Sequence, residues 1–150
     1  MQKINKQQIL SQLNEQFGIK EIPEKTFLIK LGEEKIFAFS GDLQILWKIE
    51  KLNINIAGIG NYIAKEERGQ IRLSIEGTHL FKEQINKNIF ELNKEQEEKW
   101  MHGSQLDIET NKRGFLIMKY EDDFLGTGKA SENKIGNFIP KSRRLKNKEN

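Results

Sequence analysis

Residues 114–144 read GFLIMKYEDDFLGTGKASENKIGNFIPKSRR. Three apolar runs, GFLIMKY (114–120), FLGTGKA (124–130) and KIGNFIP (134–140), follow one another with only short polar turns between them. Strands this closely spaced need tight, mostly antiparallel connections, so the stretch predicts a small barrel or pseudobarrel. Gly126 and Gly128 interrupt the second run. Glycine tolerates positive φ, so a bulge or hairpin bend is expected there.

Charge is concentrated in the same region. Between Lys129 and Lys148 seven cations (Lys129, Lys134, Lys141, Arg143, Arg144, Lys146 and Lys148) meet only Glu132, a local charge of +6. The whole chain carries +3, so the remainder sums to −3. A sequence pI near 9.0 suits a polyanionic partner. Lys141, Arg143 and Arg144 follow Pro140 at the edge of an apolar run and are expected to be held in place. Lys146 and Lys148, in the stretch 146–150, read as a disordered basic tail.

Upstream, NKQQILSQLNEQFG predicts an amphipathic helix capped by Asn5, with Ile9, Leu10, Leu13 and Phe17 on one face and Gly18 at its end. TFLIKLGEEKIFAFSG predicts two strands around a turn at Gly32–Glu34. DLQILWKIEKL fits strand alternation as well as helical spacing, and is read as a helix capped by Asp42. INIAGIGNYIAKEERGQIRLSIEG is expected to form strands broken at Gly58, Gly60 and Gly69. NKNIFEL reads as a short strand and NKEQEEKWMHG as a short helix, with Asn93 and Gln96 as a capping box and Gly103 as its stop. SQLDIE is read as a further strand. The expectation is an α+β fold in two parts: an N-terminal α+β unit over residues 1–68 and a β pseudobarrel over 69–145, beginning between about Gly58 and Arg72.

Several chemistries fall away on composition. The sequence has no cysteine, which removes disulfides, thiolate metal sites and thiol nucleophiles. His79 and His102 are the only histidines, and neither has metal-ligand spacing to a second donor, so both are read as structural or surface residues. Gly126-Thr127-Gly128-Lys129 has one residue between its glycines and β-like flanks, unlike a P-loop. No catalytic residue, metal or cofactor is nominated. No apolar run is long enough to span a membrane and the N-terminus is polar, so a cytoplasmic protein is expected.

The C-terminal stretch resembles the closing strands of a PUA-type RNA-binding domain, specifically the PUA-like domain at the C-terminus of Sun-type cytosine-5 RNA methyltransferases and their stand-alone archaeal relatives. The family's pattern is met by Leu125, Gly126, Gly128, Lys129, Asn137, Pro140, Lys141 and Arg143 or Arg144. The resemblance extends over roughly residues 54–145. The first fifty residues are similar, more weakly, to the pre-PUA domain of a ribosome-biogenesis factor.

The resemblance implies binding of structured RNA, ribosomal or transfer RNA. The expected contacts are Arg72, Gly126, Thr127, Gly128, Lys129, Asn137, Pro140, Lys141, Arg143 and Arg144. The glycines would clear the surface for a nucleic-acid backbone, and the cations would meet phosphates. Methyl transfer is not implied. The family's enzymes attack cytosine with a cysteine thiolate, and these residues hold neither a thiol nor room for an S-adenosylmethionine domain. The chain is therefore expected to be a binding module and not an enzyme, serving rRNA processing, ribosome biogenesis or tRNA modification. Two alternatives stay open: an adaptor recruiting an RNA methyltransferase or ribosome-assembly factor, and an enzyme acting on modified nucleotides.

Overall fold

A computed structural model describes residues 2–52 and 60–146. The readings made for residues 54–59 and for Lys148 lie outside the described residues.

Asn5 accepts hydrogen bonds from the backbone N–H groups of Gln7 and Gln8 and starts helix α1 (Lys6–Phe17). Gly18, at φ 78°, ends it in the left-handed conformation. Ile9, Leu13 and Phe17 are buried along one face, with Leu10 partly buried beside them. β2 (Thr26–Leu31) and β3 (Lys35–Ser40) form the expected hairpin, and β1 (Gln2–Lys3) pairs outside β2. The ambiguous stretch is helical: Asp42 accepts from the Gln44 N–H ahead of α2 (Leu43–Lys51). Ile49 of α2 packs on Ile29, Phe37 and Phe39, and thereby covers the sheet face opposite α1.

β4 (Asn61–Glu67) and β5 (Gln70–Leu73) complete an antiparallel five-stranded sheet ordered β1-β2-β3-β4-β5. The strand QIRL, grouped by sequence with the C-terminal unit, is thus the edge of this first sheet. The run that follows it is a further correction. Ser74 accepts a hydrogen bond from the Gly77 N–H and starts α3 (Ile75–Leu80), where the sequence pattern had suggested continued strand.

The second sheet is ordered β6-β7-β8-β9, from β6 (Ile89–Glu91), β7 (Gly114–Tyr120), β8 (Asp123–Ala130) and β9 (Ile135–Asn137). β6 runs parallel to β7 and the other pairs are antiparallel. The capping box of Asn93 and Gln96 opens α4 (Lys94–Met101). SQLDIE does not form a strand; only Leu106 bridges to Ile135. The fold is mixed α+β with two open sheets, and the described residues close no barrel.

β7 explains how the two halves share a core. Phe115 and Ile117 join the cluster formed by α1 and the first sheet, while Leu116 and Met118 join a second cluster around Trp100. A strand buried on both faces must be apolar at consecutive positions, which is what Phe115–Met118 provides. Gln16 adds a polar tie between α1 and the first sheet. Its buried amide donates to the Ile71 carbonyl at 3.0 Å and accepts from the Ile71 N–H at 2.7 Å, pinning α1 to β5.

Candidate nucleic-acid interface

Gly126 sits at a register shift between β7 and β8, with φ 81°. Ile117 pairs with Thr127 but Lys119 with Phe124, so β8 carries one extra residue there. This is the expected bulge. It turns Gly126 and Thr127 toward a cleft whose other walls are Arg72, the α3 start at Ser74–Glu76, and Phe138–Pro140 with Arg143. Gly128 has a different task. A Cβ there would come within 2.8 Å of the Trp100 ring, so its missing side chain makes room for the second core.

The cations divide by how they are held. Pro140 precedes a 3-10 turn at Lys141–Arg143, closed by the Arg143 N–H on the Pro140 carbonyl at 2.9 Å. Leu145 then ties back through its N–H to the Met101 carbonyl at 2.8 Å. Asn137 secures the approach: its amide donates to the carbonyls of Trp100 and Ser104, both at 2.9 Å, and accepts from the Ile139 N–H. Arg144 also acts inward, donating from Nε to the Ile139 carbonyl at 2.9 Å and lying against Gly103. Lys141 and Arg143 are exposed on the turn, and Arg143 forms an ion pair with Glu76 of α3.

Arg72 is half-buried at the sheet edge. Its guanidinium stands 4.0 Å over the Phe138 ring, and Nη2 reaches Glu67 at 3.3 Å. Phe138 meets Phe115 edge-on at 6.2 Å between centroids, and Lys129 Nζ stands 6.0 Å over Phe115. A row of cation, ring, ring, cation therefore crosses the seam between the two sheets. Cations held on aromatic faces keep their charge while losing little further freedom on binding. Lys129 lines a second depression, shared with Glu34, Glu67, Arg68, Gln70, Gly114 and Phe115.

Two buried polar atoms of the cleft residues have no hydrogen-bond partner: Thr127 Oγ1 and Arg72 Nε. Tyr62 also lines the cleft; burial pushes its hydroxyl above the ordinary value, with Arg72 and Lys65 opposing. Both histidines are engaged with backbone, His79 with the Phe124 carbonyl and His102 with the Glu98 carbonyl. The structure thus brings Arg72, Gly126, Thr127, Pro140 and Arg143 to one cleft and leaves Lys141 exposed on the turn that follows Pro140. It sets Lys129 across the seam, and places Gly128, Asn137 and Arg144 as internal supports. Sequence reasoning missed Phe115, Phe138 and Glu76. Phe138, two residues before Pro140, was the one within reach of a local signal.

Among the described residues no helix is long and apolar enough to cross a membrane. No curated protein sequence matches the chain. Residues 87–145 match the family model described as the methyltransferase RsmF PUA domain. The matched span holds the entire second sheet, α4 and the turn at Lys141–Arg143, and stops short of Arg72. The resemblance read from residues 114–144 is thereby shown: over residues 87–145 the chain matches the PUA domain of RsmF-type methyltransferases.

Proposed function

We propose that this protein binds structured RNA, ribosomal or transfer RNA, through the seam between its two sheets, and leaves catalysis to a separate methyltransferase or ribosome-assembly factor. The observation that carries the reading is the fixed row Arg72–Phe138–Phe115–Lys129 beside the turn bearing Lys141 and Arg143, most of it inside the segment that matches an RsmF-type PUA domain. Cations answer phosphates, and a planar guanidinium answers a phosphate or base edge. A-form RNA presents its backbone and shallow groove to such a surface, together with any unpaired end. In this reading the first sheet serves as a pre-PUA-like support, and the protein works in the cytoplasm alongside rRNA or tRNA maturation. These residues hold no cysteine, so they supply no thiolate for attack on a cytosine ring.

One observation favours the adaptor as a second reading. Ile45 and Trp47 on α2, and Leu52 just beyond it, are exposed. Photo-crosslinking in the native cell, followed by sequencing of the RNA and mapping of the crosslinked peptides, separates the two. RNA binding predicts enrichment of rRNA or tRNA, with crosslinks on Lys129 and residues 138–144. Absence of enriched RNA, with protein crosslinks on α2 instead, would leave the adaptor.

A further inference from the structure

Glu76 is the one carboxylate among the cleft-lining residues, and it holds the exposed arginine of the C-terminal turn. Glu76 comes from the first turn of α3 and Arg143 from the 3-10 turn, so their ion pair joins two walls of the cleft. Thr127 and Arg72, whose buried Oγ1 and Nε have no hydrogen-bond partner, line the same cleft. A carboxylate at a phosphate-binding surface repels its ligand, and this one favours the start of α3 without being enclosed: the Glu76 side chain is 42% exposed and that of Arg143 45%. An exposed ion pair of this kind is weak and readily exchanged. An arginine–phosphate contact offers two parallel charge-assisted hydrogen bonds.

We propose that Glu76 is an affinity-setting gate. In the free protein it holds Arg143 across the cleft. On binding, an RNA phosphate takes over Arg143, the two walls part, and the cleft opens toward Thr127 and Arg72 for an acceptor oxygen of the same nucleotide. This rests on the RNA-binding reading and adds to it a competitor for the phosphate, built into the protein itself.

The test is a double-mutant cycle of wild type, Glu76→Gln, Arg143→Gln and the double variant. Affinity for one structured RNA is read by fluorescence anisotropy at fixed salt, with melting temperatures in parallel. Freeing Arg143 should let Glu76→Gln tighten binding about three- to fivefold, the range set by the strength of an exposed pair. In the Arg143→Gln background the same change should give less than about twofold. Equal tightening in both backgrounds would show a general charge effect and overturn the gate, as would weaker binding by Glu76→Gln alone. If the wild type binds no RNA, the proposed function fails separately. The cycle then runs on inorganic polyphosphate, where coupling between positions 76 and 143 supports the exchange and its absence overturns it.

Discussion

Trp100→Ala should lower the stability of the folded protein by about 3–5 kcal/mol, the range for removing a large buried aromatic side chain. Trp100 is fully buried at the centre of the second core, among Leu92, Leu116, Met118, Ala130 and Ile135. Its Nε1 donates to the Leu125 carbonyl at 3.0 Å, next to the bulge, and its own carbonyl accepts from Asn137. Losing the ring would empty the space that Gly128 leaves for it and loosen both the bulge and the approach to the Pro140 turn. Urea denaturation followed by far-UV circular dichroism measures the change. A loss below about 1 kcal/mol would mean that the core around α4 is not organised as described.

The second large effect concerns binding. Lys141→Ala combined with Arg143→Ala should weaken affinity for a structured RNA roughly tenfold to thirtyfold, at on the order of 1 kcal/mol for each ordered contact. Arg144 is left unchanged because it fastens the turn through the Ile139 carbonyl and its loss would blur binding with folding. Deleting residues 146–150 also removes two cations, Lys146 and Lys148, but spares the turn. That deletion should cost less than about threefold, since diffuse charge is screened within about 8–10 Å at ordinary salt. Anisotropy at fixed salt, with melting curves as a control, gives the comparison. If the deletion proves as damaging as the well-folded double variant, generic charge and not a fixed site governs binding.

Much of this architecture was legible because local signals agreed with the tertiary structure. Asn5 and Gly18 bound α1, the Asn93–Gln96 capping box opens α4, and the runs of β7 to β9 are separated by clear turns. α3 was not legible. Leu73, Ile75 and Gly77 alternate with polar residues as in a strand, and the cue that wins is the Ser74 side chain capping the Gly77 N–H. SQLDIE alternates in the same way, yet only Leu106 finds a partner strand, so its pattern records burial without a ladder. The parallel pairing of β6 with β7 left no mark in either strand.

The candidate site divides along the same line. Pro140, Lys141, Arg143 and Arg144 are contiguous and readable as a group. Arg72, Phe115, Lys129 and Phe138 come from β5, β7, β8 and the segment after β9, and only the packing of the two sheets makes them a row. Glu76 lay hidden within the misread α3. The roles of Gly128 and Asn137 also needed coordinates, because Trp100 and the Ser104 carbonyl approach them from a distant part of the chain.

The most direct measurement of whether this surface grips phosphates is the affinity of the wild-type protein for a structured RNA across a salt series. With about three to five phosphates contacted, log affinity should fall linearly with log salt at a slope of about −2 to −5, from ~0.7–0.9 per contact. A slope near zero, with affinity persisting in high salt, would contradict RNA binding by this cationic seam and point instead to the exposed apolar residues around α2.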